Sequence, residues 1–244
     1  MVGRELTSQY PPRTKNIGDI TFEVKNWTVA KAGNVSRPVV KDVSFDLRKG
    51  EILGVSGLMG SGRTELVQSI FGEFGKRISG ELTEDRKNTS LVLKHSVLAN
   101  ATLASVKDLL RWRVIDPNKE LSITYEYKDR LQIKAPTIHT IVNDLSGGNQ
   151  QKVAIAKWLL TEPKILIMDE PTRGIDVGTK YEVYRLMNEL TSEGVSIIMV
   201  SSELPEILGM SDRILVMSEG SVAGIVDNHN VSMETIMMLA TKGA

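Results

Sequence analysis

The order of strand-like and helix-like segments predicts an α/β protein built on a mostly parallel sheet. Three observations carry that reading. Beyond residue 150, short apolar runs alternate with helical patterns. These are a helix over Val153–Leu160, a buried strand over Lys164–Met168, a helix over Lys180–Thr191, a strand over Val195–Val200, a helix over Leu204–Met210 and a strand over Arg213–Met217. Strands separated by helices cross over and pair in parallel. Upstream, a strand over Glu51–Val55 enters a glycine-rich loop and then a helix from Thr64 to about Phe71. Before it, ITFEVKNWTV and PVVKDVSFDLRKG are β-type runs broken by Ala32-Gly33-Asn34 and Lys49-Gly50, which predicts an antiparallel sheet at the N-terminal side.

The remaining segments are placed by the same periodicities. Residues 95–143 carry helical apolar spacing and predict a mostly helical lobe. Residues 1–18 are polar, contain Pro11-Pro12 and show no period, so they are expected to form a linker or extended arm. Strand alternation turns Trp27 toward the core, and the tail METIMMLA is expected to be a core-facing helix.

Bulk properties exclude several classes. Thirty basic residues balance thirty acidic ones among 244, which gives no support for a nucleic-acid partner. There is no Cys, hence no disulfide, thiolate metal site or Cys nucleophile. His95, His139 and His229 stand in unrelated contexts and predict no metal set. The sequence has no run of about 18 apolar residues, and its first residues do not read as a signal peptide. Any membrane role is therefore expected to pass through a partner.

Three short stretches carry the chemistry. Gly57-Leu58-Met59-Gly60-Ser61-Gly62-Arg63-Thr64 fits a phosphate loop except at the position of its lysine, which is Arg63. Glycines at this spacing let the backbone curl so that successive N–H groups face an anion, and the helix that follows aims its positive end at the same place. Thr64 would offer a hydroxyl to Mg²⁺. Arg63 is wider and forked where lysine is slim, so nucleotide binding is expected to survive and hydrolysis to be impaired. In the second stretch, Asp144 to Lys152, Ser146 occupies an N-cap position, and Gly147 and Gly148 leave N–H groups open at a helix start. The third is the apolar strand that ends in Asp169 and Glu170.

Taken in this order, the loop, Leu145-Ser146-Gly147-Gly148-Asn149 and Ile165–Glu170 resemble the ATP-binding cassette (ABC) family. With Gln150-Gln151-Lys152 following, the resemblance narrows to sugar-importer ATPases that carry two cassettes in one chain. It covers residues from about Gly18 to the end, and the MVGR…YP segment is similar to the joint between two such cassettes. The resemblance implies a P-loop NTPase (RecA-like) core with an N-terminal antiparallel β-subdomain and an inserted helical subdomain over about 95–144, the cassette occupying 19–244 behind an arm at 1–18. It implies ATP and Mg²⁺ as cofactors. Thr64 and Asp169 would hold the metal, Glu170 would polarise the attacking water, and Ser146, Gly147, Gly148 and Asn149 would grip the γ-phosphate of ATP on an opposite cassette.

Two further positions depart from the family pattern. Its switch histidine falls on Ser202, and its Q-loop glutamine falls on Glu84, a candidate for Mg²⁺ or water. Between Gly80 and Leu82 the family carries a strand and turn that are missing here: either the protein is trimmed at that point or the sequence skips residues. The partners implied are an N-terminal cassette of the same polypeptide or a second copy, membrane permease subunits and, indirectly, a sugar-binding protein, at the cytoplasmic face of a membrane. The alternatives are a fully active homodimeric ATPase or a non-transport cassette protein. The latter tends to carry basic patches or coiled-coil insertions, and neither stands in this sequence.

Overall fold

The computed structural model describes residues 9–31, 37–72, 74–82, 94–111 and 114–242. Strands β1 (Ile20–Ala30), β2 (Pro38–Arg48) and β3 (Ile52–Gly57) precede helix α1 (Arg63–Phe71) and strand β4 (Lys76–Leu82). Helix α2 (Val97–Thr102), strands β5 (Leu110–Arg111) and β6 (Val114–Ile115), and helices α3 (Pro117–Arg130) and α4 (Gly147–Leu159) follow. The chain continues through β7 (Ile165–Asp169), α5 (Val177–Ser192), β8 (Ser196–Val200), α6 (Leu204–Met210), β9 (Arg213–Ser218), β10 (Ser221–Asp227) and α7 (Met233–Thr241).

The chain divides into two compact units. The first comprises residues 1–87, 165–171 and 187–244, and the second 88–164 and 172–186. The first holds two sheets. One is antiparallel in the order β2-β1-β4, and the other has the order β10-β9-β3-β8-β7. In the latter, β3 pairs in parallel with β8 and β9, β7 pairs in parallel with β8, and only β10 runs antiparallel. Strands β3 and β8 are buried almost throughout, as central parallel strands require. Between the sheets lies one core that joins Val24, Trp27 and Phe45 to Leu53, Val55, Ile198 and Leu215, with Leu66, Val67 and Ile70 of α1 entering it. Truncating a residue as enclosed as Leu53 to alanine would cost about 2–5 kcal/mol. Trp27 faces this core as expected, its indole N–H donating to Ser69 Oγ at 3.0 Å.

Helix α1 ends where its sequence dictates. Gly72 adopts φ 84° and its N–H turns back to the carbonyls of Gln68 and Ser69, closing the last turn. Residues 9–18 form no regular element, yet they are fastened to the first unit: Arg13 pairs with Asp212, and Gly18 N–H donates to Lys49 O at 2.9 Å.

In the second unit α2 packs on α3 and α4. Helix α3 starts as its sequence prescribes, with Pro117 in the first turn and Asp116 accepting from the backbone N–H of Asn118 and Lys119. The unit is less purely helical than expected. Short 3₁₀ turns at Val106–Leu109 and Val142–Asp144 and the small β5–β6 pair interrupt it, because a run of Val-Ile before Pro117 favours extended backbone.

Two boundaries and one face differ from the sequence reading. Helix α4 begins at Gly147, not Val153: the N–H of Gln150 already bonds Ser146 O at 2.9 Å. Helix α5 starts at Val177, three residues early, because Asp176 caps it by accepting from Thr179 N at 3.0 Å. Helix α7 buries only Ile236 and Ala240, while Met233, Met237 and Met238 are exposed. A period of 3.6 brings Ile236 and Ala240 onto one face and turns Met237 and Met238 away from it, while Met233 stands at the helix start.

Candidate functional site

The carboxyl ends of β3, β8 and β7 bring together most of the first unit's candidate residues. β3 delivers the loop Gly57–Gly62, β7 delivers Asp169 and Glu170, and β8 delivers Ser201 and Ser202. Ligand sites in open parallel sheets lie at this edge, because helices cover both faces and only the strand ends are left open.

The loop is shaped by glycine. Gly57 has φ 150°, and a Cβ there would stand 2.4 Å from Met217 O and 2.6 Å from Ser61 Oγ, so no other residue fits. Gly60 and Gly62 follow with φ 80° and 93°. The fold is pinned from outside by Ser61 N–H to Leu58 O at 3.0 Å and Gly220 N–H to Ser61 O at 2.9 Å. Leu58, Met59 and Gly60 are exposed, whereas Ser61 and Gly62 are buried. Ser61 Oγ is buried and has no hydrogen-bond partner. A buried orphan hydroxyl beside open backbone N–H groups fits an anion seated in the loop.

Arg63 is engaged at the end of β8. Its Nη1 donates to the carbonyl of Ser201 at 2.7 Å, tying the first residue of α1 to the end of β8. Thr64 is exposed, and its hydroxyl acts on the Asp169 carboxyl. Burial, and after it the charge of Glu170, push the Asp169 carboxyl above the usual carboxylate range; Arg63 and the Thr64 hydroxyl hold it back. A carboxylate in this state gains from a cation, so Thr64 and Asp169 fit a divalent metal.

Glu170 has φ 50°, a left-handed conformation that costs a non-glycine residue about 1 kcal/mol or more. Its N–H donates to Val200 O at 2.9 Å, and its Oε2 accepts from the hydroxyl of Ser202 at 3.1 Å. The turn after β7 is thus forced by the neighbouring strand, and it aims Glu170 at Ser202. Ser201 escaped the sequence reading. Its carbonyl receives Arg63, and its Oγ accepts from Glu203 N at 3.0 Å. No spacing rule connects Ser201 to Arg63, 138 residues away. Glu84 lies outside the described residues.

The second unit holds the other candidates. Ser146 is the N-cap of α4, but its hydroxyl bonds no backbone N–H; it accepts instead from Asn149 Nδ2 at 2.8 Å. Asn149 Oδ1 in turn accepts from Lys134 N at 2.8 Å, so this side chain fastens the preceding loop. The first N–H groups of α4 therefore receive nothing from the cap side chain, as an anion site needs. Gly147 is exposed. Gly148 is buried, and a Cβ on it would stand 2.2 Å from Thr179 Cγ2 on α5. Its identity is set by the close approach of two helices, a reason that a glycine pair does not reveal in sequence. Among the described residues no group of three His, Cys, Asp or Glu side chains gathers as a metal cluster, and no helix is long and apolar enough to cross a membrane.

The ABC transporter family model matches residues 40–173. The xylose import ATP-binding protein XylG of Geobacillus kaustophilus (strain HTA426) is 49% identical over 266 residues, covering 100% of this chain and 53% of that protein. The L-arabinose transport ATP-binding protein AraG of Geobacillus stearothermophilus is 47% identical over 268 residues, covering 100% and 52%. The ribose import ATP-binding protein RbsA of Bacillus subtilis (strain 168) is 48% identical over 265, again covering 100% and 52%. The chain spans about half the length of the curated relatives it matches. Each alignment is longer than this chain of 244 residues, so the relatives carry positions that it lacks. Among solved structures, an ATP-binding cassette of an ABC transporter in its ADP conformation superposes with a TM-score of 0.71 at 19% identity, covering 91% of this chain and 95% of that one. A dimeric bacterial ABC transporter cassette superposes with a TM-score of 0.73 at 22% identity, covering 86% and 100%. These likenesses give the fold, an ABC ATPase cassette. With the family match across more than half its length and relatives near one-half identical along all of it, the chain belongs to the ABC transporter family.

Proposed function

We propose that this chain is the C-terminal nucleotide-binding cassette of a double-cassette importer ATPase for monosaccharides, binding Mg-ATP and turning it over slowly at its own phosphate loop. The observation that carries the reading is the convergence of Gly57–Thr64, Asp169, Glu170 and Ser202 at the ends of three neighbouring strands. Sugar import is supported by the names of the relatives, which cover xylose, L-arabinose and ribose. Their length, about twice that of this chain, supports a second cassette in the same polypeptide. On this reading residues 1–18 are the joining arm, 19–244 the cassette and about 95–144 its helical subdomain. Its partners are that second cassette or another copy, permease subunits at the cytoplasmic face of the membrane, and through them a sugar-binding protein.

The residues act in sequence along the strand ends. Backbone N–H groups of the loop and the start of α1 hold the phosphates, with Ser61 Oγ supplying one more donor. Mg²⁺, when bound, neutralises charge on the phosphate oxygens. Thr64 and Asp169 would hold it. Glu170 orients the attacking water while Ser202 fixes the rotamer of Glu170. Arg63, engaged with the Ser201 carbonyl, is diverted from the phosphates, which makes the site slow. Ser146, Gly147, Gly148 and Asn149 serve the nucleotide held by the other cassette. Electrostatic positioning, more than covalent chemistry, is what such a site contributes.

The test is equilibrium binding of Mg-ATP to the chain, with phosphate release measured beside it and EDTA as control. Metal-dependent binding with turnover well below the enzyme median of about 10 s⁻¹ is expected. Turnover near that median would remove the impairment and favour a fully active homodimer. Absence of binding would remove the cassette reading altogether.

A further inference from the structure

The short helix α6 is held at both ends by features with nothing in common in sequence. Its N-cap is Glu203, directly after Ser202. Ser201 anchors that end by accepting from Glu203 N, and Ser202 donates to Glu170. At the other end the ring of Tyr10 lies against Gly209 so closely that a Cβ there would stand 2.5 Å from three ring carbons. Just beyond the helix, Asp212 accepts from Arg13 Nη1 at 2.5 Å and from Ile52 N at 2.8 Å, while Arg13 Nη2 donates to Gly50 O at 2.5 Å. Arg13 and Asp212 are nearly enclosed, with side chains 9% and 3% exposed. Pro11 O accepts from Asn188 Nδ2 at 3.3 Å. Residues 10–13 therefore run as a strap across the end of α6.

The tyrosine ring also looks back along the helix. Burial, then the charges of Glu206 and Glu203, push its phenol up to about 12, so it keeps its proton wherever a protein works. Glu206 is itself 1% exposed. The ring thus rests on α6 at Gly209, with the charges of two of the helix's carboxylates acting on its phenol. Seven residues of helix span about 10 Å and move as a rod, since each turn is bonded to the next.

We propose that Tyr10 is a positioning residue for Ser202, and that the arm is a strap which sets the Ser202–Glu170 pairing through α6. The inference rests on the reading of Ser202 and Glu170 given above. Its consequence is that chain entering the cassette at residue 9 reaches the reacting edge without touching nucleotide.

The experiment uses the full 244-residue chain as wild type, Tyr10→Ala, Tyr10→Phe, Gly209→Ala and the double alanine variant. Amide exchange is read at Glu206, Ile207 and Ser211, whose N–H groups bond carbonyls at the start and middle of α6. Single-turnover hydrolysis and Mg-ATP affinity are read beside it, with urea unfolding as a control. Tyr10→Ala and Gly209→Ala should each quicken exchange at these amides by about tenfold or more. Each should slow single turnover by about three- to tenfold with affinity unchanged, since misplacement by a fraction of an ångström costs rate before binding. Tyr10→Phe keeps the ring against Gly209 and should depart from wild type less than Tyr10→Ala does. The double variant should be no worse than either single one, because both remove the same contact. Alanine is the better helix former, so a looser helix in Gly209→Ala is opposite to what propensity alone gives. Faster exchange confined to residues 9–18, or additive losses in the double variant, would overturn the strap. Failure of the wild type to bind Mg-ATP would sink the functional reading instead, and the exchange pattern alone would then decide the strap.

Discussion

Ser202 and Glu170, 32 residues apart, meet at 3.1 Å between serine hydroxyl and carboxylate, with Glu170 held in a left-handed backbone conformation. On the proposed reading, the pair places a neutral donor where the family resemblance puts a titratable imidazole. Arg63, at the same edge, spends one N–H on the Ser201 carbonyl next door.

These two side chains predict a coupled repair. Arg63→Lys releases the Ser201 carbonyl and offers a slim ammonium, and Ser202→His offers a ring N–H donor toward the same phosphate. The double variant should raise phosphate release above the sum of the single gains, because neighbouring groups acting on one ligand are not independent. A coupling of about 1 kcal/mol would read as roughly a fivefold excess over additivity. Steady-state phosphate release on the four proteins measures it; strictly additive rates would place the defect elsewhere, Glu84 being the next residue to change.

Asp169 predicts a dependence on pH. Its carboxyl takes a proton more readily in the folded chain than its ordinary value of 3.8 implies, first through burial and then through Glu170. The folded state therefore holds more protons than the unfolded state, and this group lowers stability above its folded pKa. As pH falls through that value toward 3.8 the penalty fades. Asp169→Asn should accordingly raise Tm at pH 7 by about 1–3 °C, with the gain shrinking at acid pH. Mg-ATP should stabilise the wild type and leave the variant unmoved. Thermal scans from pH 4 to 8, with and without nucleotide, decide both points.

Ser146 is expected to act in trans. Its unit is compact by itself and does not contain the phosphate loop, which belongs to the other unit of the chain. Ser146→Arg should leave Mg-ATP affinity of the isolated chain within about twofold, and in a two-cassette protein it should abolish turnover at the shared site by filling the anion seat before α4. Loss of affinity in the isolated chain with turnover retained in the two-cassette protein would assign Ser146 to its own nucleotide.

Gly148 predicts a stability effect distinct from any role at phosphate. Gly148→Ala drives a methyl into Thr179 Cγ2 and should cost about 1–3 kcal/mol. Thr179→Ser removes that methyl and keeps the hydroxyl, which donates to Asp176 Oδ2 at 2.6 Å. The double variant should recover most of the loss in urea unfolding. If Gly148→Ala unfolds at the same urea concentration as wild type, the helix approach is not what requires glycine.

What the amino-acid order determined was local. Runs such as Ile197–Val200 are apolar without interruption, so they form central strands and bury on both faces. Glycine spacing from Gly57 to Gly62 compels a curled loop, since only glycine takes those angles without penalty. Asp116-Pro117 starts a helix and Gly72 stops one because each acts on backbone groups within a few residues. The tertiary structure decided everything that joins distant positions. Arg63 chose the Ser201 carbonyl over the loop because the parallel β3–β8 pairing lays those ends side by side. Asn149 also holds Lys134, and Gly148 also admits Thr179, through approaches that no period encodes. The methionines of α7 read as core by hydrophobicity, yet the angle at which Ile236 and Ala240 dock leaves them outside. Local rules act through bonds a few residues long; a side chain's final partner is set by which strands and helices the whole chain brings within 4 Å of it.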